Sequence, residues 1–257
     1  MIKFIRSFRQ KMLSESKISK YLIYAIGEII LVVIGILIAL YLNDLKDQNR
    51  EESLRNYYIQ SIKKDLVQDQ ELIKNMIDSV QSSLKIIDDQ VSRIYSQSAT
   101  MDTLVKIAQD EFLTEVSAIS FHDNSFKSLI STGNLNLLKT DFSELLLELD
   151  KTRSEQKEVR NALNSMYNDR INEYQMRYPR PYDDLPLDNL INRTLWSDID
   201  EKDFTGKFRG VLFLRRYKER ELIKDLKVSE EKTTILINFI NDNYKSQLNP
   251  LNNWTQI

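Results

Sequence analysis

From Tyr21 to Leu42 the chain reads YLIYAIGEIILVVIGILIALYL, 22 residues interrupted by a single charge, Glu28. At ~1.5 Å per residue a helix of that length covers about 33 Å, enough for a hydrocarbon core of ~30 Å. A buried core helix seldom stays apolar so long. A signal peptide has a shorter apolar region, ~7–15 residues, and ends in a small-residue cleavage site; none is evident after Leu42. The pattern predicts a transmembrane helix over 21–42.

Beyond the span the period changes. Ile59, Ile62, Leu66, Ile73, Met76, Val80, Leu84, Ile87, Val91 and Ile94 recur at spacings of three and four, opposite a face of Lys, Asp, Gln and Ser. That is the signature of one amphipathic helix from Asn43 to about Gln97. Neither glycine nor proline occurs between Ile36 and Thr132, which favours long helices over strands and turns. A turn at Ser96–Thr103 precedes a short helix to Phe112. Asn124 is placed to cap the next helix and Gly133 to end it in the left-handed conformation. Asp141, with Glu144 three residues on, reads as the cap of a helix running to about Arg177 and carrying Phe142, Leu145, Leu149, Leu163, Met166, Ile171 and Tyr174. Its middle, Asp150 to Glu158, is strongly polar: a solvated stretch, the commoner case, or the wall of a polar cleft.

YPRPYDDLP (178–186) is the clearest loop. Asp183 and Asp184 there are read as solvated acids, and Trp196 and Phe204 as anchors packing the loop onto the bundle. A last helix, about Lys207 to Gln247, presents Val211, Leu212, Leu222, Leu226, Leu236, Ile240 and Tyr244, and Asn249-Pro250 ends it. The expected fold is all-α: a transmembrane helix, then an antiparallel bundle of long helices over 43–248, then an irregular tail at 249–257.

Charge orients the span. Lys3, Arg6, Arg9, Lys11, Lys17 and Lys20 precede it against Glu15 alone, whereas acids and bases are mixed beyond it. The positive-inside rule puts the N-terminus in the cytoplasm and the C-terminal part outside, with Tyr21, Tyr24 and Tyr41 at the interfaces. Residues 1–20 read either as a basic amphipathic helix on an anionic inner leaflet, with Ile2, Ile5, Phe8 and Met12 along one stripe, or as a flexible basic tail.

Glu28 lies ~5 Å from the middle of the span, where an ionisable group is costly and faces protein or water. Ala25, Glu28, Val32, Gly35, Ala39 and Leu42 share its helical face, and Gly35 with Ala39 forms a small-xxx-small pair that admits a second backbone. Three roles stay open for Glu28: a protonated group fixing a homo-oligomer, a partner for a polar residue of another membrane protein, or a proton or ion carrier.

Composition narrows the chemistry. With 36 basic and 38 acidic residues the chain lacks the basic excess of a nucleic-acid binder. The absence of cysteine excludes disulfides, thiolate metal sites and a cysteine nucleophile. The lone histidine, His122, reads as a surface or capping residue. No phosphate loop, nucleophile elbow or metal-ligand pair at helical spacing is present, so neither an enzyme nor a cofactor is expected.

The run LSESKISKYLIYAIGEIILVVIGILIALYLND (13–44) resembles the opening of a bacterial family known only as a domain of unknown function, number 6090. FKSLISTGNLNLL (126–138) resembles a recurring element of the same family. Tyr41-Leu42-Asn43-Asp44 departs from the Gln-Ile-Asn-Asn common there. The resemblance implies a membrane protein of Gram-negative bacteria, with Gly27-Glu28 in the shared motif, and implies no activity. The expectation is then an inner-membrane protein with a periplasmic helical domain. It would act as a non-enzymatic scaffold subunit whose span assembles with a second copy or with another membrane protein. The alternative is a sensor-like ligand-binding module; with only about 20 residues before the span, it would signal through a partner membrane protein.

Overall fold

A computed structural model describes residues 16–114, 118–179, 190, 194, 196, 197 and 199–245, with backbone alone at 16–21, 23 and 24. The basic residues Lys3, Arg6, Arg9 and Lys11, the side chains of Lys17 and Lys20, Asp183, Asp184 and the tail from Asn249 lie outside the described residues. Every described element is helical: α1 (Ser16–Ile94), α2 (Met101–Lys106), a π-helical turn (Ile107–Glu111), α3 (Asn124–Ser131), a 3-10 turn (Asn134–Leu137), α4 (Thr140–Arg177) and α5 (Glu201–Asn243). The chain divides into two compact units, Met1–Asn56 and Tyr57–Ile257.

In the first unit α1 contains the one described helix long and apolar enough to cross a membrane, with a mean hydropathy of 2.7 over its most apolar stretch and none of that stretch buried. Its large side chains, from Ile29 and Leu31 through Leu40 and Leu42, are all exposed. An isolated helix that is apolar all round belongs in a membrane or a core, not in water.

The second unit is built on three long helices. The C-terminal half of α1, with Tyr95 just beyond it, pairs with α5 through Lys63–Asn241, Gln70–Thr234, Arg215–Ser83, Arg216–Asp88 and Arg209–Tyr95. Helix α4 pairs with α5 through Lys139–Asn243, Lys232–Glu148, Gln156–Asp225, Arg160–Asp225 and Lys207–Glu173. Numbers rise on one side as they fall on the other, so α5 is antiparallel to both neighbours, and α1 and α4 run parallel. The segment from Tyr95 to Lys139 makes that arrangement possible by carrying the chain back down the bundle.

Packing follows the apolar stripes. Ile59, Ile62, Leu66, Ile73, Val80 and Ile87 of α1 are buried, as are Val211, Leu212, Leu222, Leu226, Leu236 and Ile240 of α5. Phe142 stacks on Phe239 at the lower end. At the upper end Phe112, Tyr174, Tyr178, Phe204 and Phe208 form one core with Ile107 and Ile171. Trp196 meets the Phe204 ring edge-on at 5.6 Å, as the expected anchor of its loop. On α4 the buried stripe passes through Leu146 and Tyr167, whereas Met166 is exposed. It does not follow Leu145 and Met166, because the polar middle of the helix hides the phase from one apolar half to the other.

Helix ends differ in detail from expectation. Asn124 is the first residue of α3 rather than its cap; the Asp65 carboxylate, on α1, accepts the Ser125 N–H instead. Asp141 lies inside the first turn of α4, with Lys139 at the cap, and so complements the helix dipole without capping it. Helix α5 begins at Glu201, where Asp200 accepts the N–H groups of Lys202 and Asp203. Gly133 has φ of 71°, the left-handed turn expected of it. The π turn is marked by the Phe112 N–H reaching back five residues to the Ile107 carbonyl at 2.8 Å.

Candidate functional site

The middle of the bundle is polar where helical periodicity demands apolar residues. Continuing the α4 stripe Phe142, Leu146, Leu149 gives Arg153, Gln156 and Arg160 before Leu163 and Tyr167 resume it. These three face Asp69 on α1 and Asp225, Ser229 and Thr233 on α5. Gln156 donates to the Asp225 carbonyl and accepts from the Ser229 hydroxyl. Arg160 pairs with the Asp225 carboxylate at 3.2 Å.

Asp69 is the hub. Its side chain is fully buried, and it accepts three hydrogen bonds: from the His122 backbone N–H at 2.8 Å, from His122 Nδ1 at 2.9 Å and from Arg153 Nη1 at 2.6 Å. Arg153 donates its other terminal nitrogen to Thr233 Oγ1 and stacks on the Phe121 ring, 3.8 Å from the centroid. Its side chain is 11% exposed, and burial lowers the guanidinium from its ordinary value, with Asp69 opposing the shift. A buried charge at such depth persists only when paired and hydrogen-bonded. His122, read from sequence as a surface or capping residue, is exposed, with 47% of its side chain accessible, and is tethered on its Nδ1 side.

Over this network lies a cleft of about 220 Å³ between α4 and the returning segment, floored by α1. Ile62, Leu66, Ile119, Phe121, Phe126, Leu146 and Leu149 supply its apolar surface. Its polar groups sort along the bundle axis. The pairing of Asp69 with Arg153 sets the level: Asp65 is one turn below on α1, Asp150 almost one turn below on α4, and Lys157 and Arg160 lie above. Asp123 also borders the cleft and pairs with Lys127 at 2.5 Å. The lower end is therefore acidic and the upper end basic. So the polar stretch Asp150–Glu158 is only partly solvated; Asp150, Arg153, Ser154 and Lys157 form a cleft wall.

A second polar cluster sits higher, on α5. Arg215 and Glu219 are 5% and 3% exposed. Arg215 Nη2 lies 3.5 Å from Ser83 Oγ, and the guanidinium stands 5.6 Å from the Phe112 centroid. The Lys218 ammonium lies 4.4 Å from the Tyr167 ring centroid, and burial pulls its pKa down to about 8. Burial also raises the Glu219 carboxyl and pushes the Tyr167 phenol up to about 12. Nearby, Arg93 grips Glu111 through both terminal nitrogens, which holds that carboxyl below its usual range.

The stripe Ala25, Glu28, Val32, Gly35, Ala39 and Leu42 lies along one face of α1, exposed throughout. A methyl group added at Gly35 would meet nothing within 4 Å. Among the described residues no group of three His, Asp or Glu side chains is placed to hold a metal ion. No family model, curated protein or solved structure matches this chain.

Proposed function

We propose that this protein is a single-pass inner-membrane subunit of a non-enzymatic assembly. Residues 21–42 cross the bilayer with the N-terminus cytoplasmic, and the helical domain works in the periplasm as a docking scaffold. The observation that carries the reading is Glu28. It is the one charged residue in the apolar stretch 21–42, it shares a face with Ala25, Val32, Gly35 and Ala39, and it is exposed on the isolated chain. A carboxyl group at that depth is stable only against protein or water, and the small residues beside it admit a neighbouring helix. That neighbour is a second copy of this chain or the span of another membrane protein. The test is extraction of Glu28→Leu and Gly35→Leu variants in mild detergent. Loss of the oligomer or of co-purifying partners is expected; an unchanged oligomeric state and partner set refutes the reading.

The cleft supports a second reading, a ligand-binding module that acts through a partner membrane protein. Its support is the expense of the site: a fully buried carboxylate and a nearly buried guanidinium hold the cleft wall where apolar residues would pack at lower cost. A thermal-shift screen of the full chain against metabolites and ions tests it, and the absence of any stabilising compound counts against it.

A further inference from the structure

The geometry points to the cleft between α4 and the returning segment as a site for a short zwitterionic peptide of two or three residues with free termini. The inference rests on the second reading above and names the ligand class for it. Most charges of the cleft are already engaged. Arg153 is held by Asp69, Arg160 by Asp225 and Lys127 by Asp123. Asp65 uses one oxygen on the Ser125 N–H. What remains toward a ligand is Asp150 with the second oxygen of Asp65 at the lower end, and Lys157 at the upper end. Neither Asp150 nor Lys157 has an ion pair or side-chain hydrogen bond among the described residues.

A ligand that completes these groups carries a cation at one end and an anion at the other. Seven residues of α4 separate Asp150 from Lys157, about 10.5 Å along the axis. The ammonium and carboxylate of a single α-amino acid are too close to bridge that gap. An extended dipeptide spans about 7 Å and a tripeptide about 10 Å, and the flexible Lys157 side chain closes the remainder. The volume, about 220 Å³, is just below the ~300–1,000 Å³ of sites for drug-sized ligands, which also sets a small occupant. The apolar surface at the acidic end, Phe126, Leu146 and Leu149, calls for an apolar side chain on the residue bearing the free ammonium.

The test is calorimetric titration of the full chain in detergent micelles with leucyl-alanine, N-acetyl-leucyl-alanine and leucyl-alaninamide. Saturable binding of leucyl-alanine is expected, weakened at least tenfold by acetylation, by amidation, by Asp150→Asn and by Lys157→Gln. Acetylation should make little further difference in Asp150→Asn, and amidation little in Lys157→Gln. Lys157→Gln should melt with the parent protein and Asp150→Asn close to it, since Asp150 acts on the buried Arg153 through space alone. Equal affinity for free and blocked dipeptides overturns the zwitterion inference and leaves the cleft as a ligand site. No saturable binding of any of the three overturns the peptide inference, and if the screen above also finds no ligand, the cleft reading falls with it.

Discussion

Replacing Asp69 with alanine removes the acceptor of three hydrogen bonds and leaves the Arg153 guanidinium without its countercharge in a place where its side chain is 11% exposed. Removing one partner of a buried ion pair costs ~3–5 kcal/mol, because the remaining charge stays desolvated. Arg153 keeps its bond to Thr233 and its stacking on Phe121, so the cost belongs near the low end, about 3 kcal/mol. For a domain of this size, each 1 kcal/mol lowers Tm by ~2–4 °C, and the expected loss is about 6–12 °C. Tryptophan fluorescence during urea or thermal unfolding in micelles is the appropriate probe. Of the two tryptophans, Trp196 packs on Phe204 in the upper core, away from the mutation, a Trp254→Phe background leaves it as the sole reporter, and the apolar stretch 21–42 holds no tryptophan. The companion variant Asp69→Leu/Arg153→Met removes both charges together and should recover more than half of the loss. An Asp69→Ala protein within 1 kcal/mol of the parent, or a double variant as unstable as the sum of its singles, would refute the assignment of Asp69 as the hub.

Two further outcomes follow from the same geometry. The Lys218 pKa is lowered to about 8 in the fold against its ordinary 10.5, so between these values the unfolded chain binds more protons. Stability should therefore rise as pH increases from about 8 to 10, before Tyr167 titrates, and Lys218→Met should flatten that rise in urea titrations at stepped pH. Gly133→Ala should lower stability by about 1–2 kcal/mol, the ordinary cost of a side chain in the left-handed region; the added methyl meets nothing within 4 Å, so denaturant midpoints report backbone strain alone.

Much of the fold is legible in the sequence because its signal is one of period. The apolar positions of α1 and α5 follow three-four spacing apart from gaps that buried polar residues fill, and those named from it, such as Ile59, Ile73, Leu226 and Ile240, are buried. The parallel course of α1 and α4 is not legible. It depends on a returning segment from Tyr95 to Lys139 that is long enough to traverse the bundle, and this segment carries little periodicity of its own. Helix starts were displaced for a related reason: the groups that satisfy them come from elsewhere in the fold, as Asp65 does for Ser125, and local cap motifs do not record that. The cleft was half visible. Arg153, Gln156 and Arg160 occupy core positions of a stripe that is apolar on both sides, which is the mark of a buried polar layer rather than of a solvated face. Asp69 carries the same mark, three residues after Leu66 and four before Ile73 in the α1 stripe, but which groups would pair with it depends on the segment that brings His122 and the helix that brings Arg153.

The proposal that the span is turned toward protein on its Glu28 face is open to direct measurement, since the chain has no native cysteine to interfere. Single variants Val32→Cys and Ala39→Cys on that face, and Ile30→Cys and Leu37→Cys on the opposite one, can be spin-labelled in the full chain and reconstituted in bilayers. Collision rates with oxygen, which concentrates in lipid, and with a water-soluble nickel chelate then report what surrounds each site. High oxygen accessibility at 30 and 37, low accessibility to both reagents at 32 and 39, is the predicted result. Equal lipid exposure at all four positions, or access of the nickel chelate throughout, would contradict it.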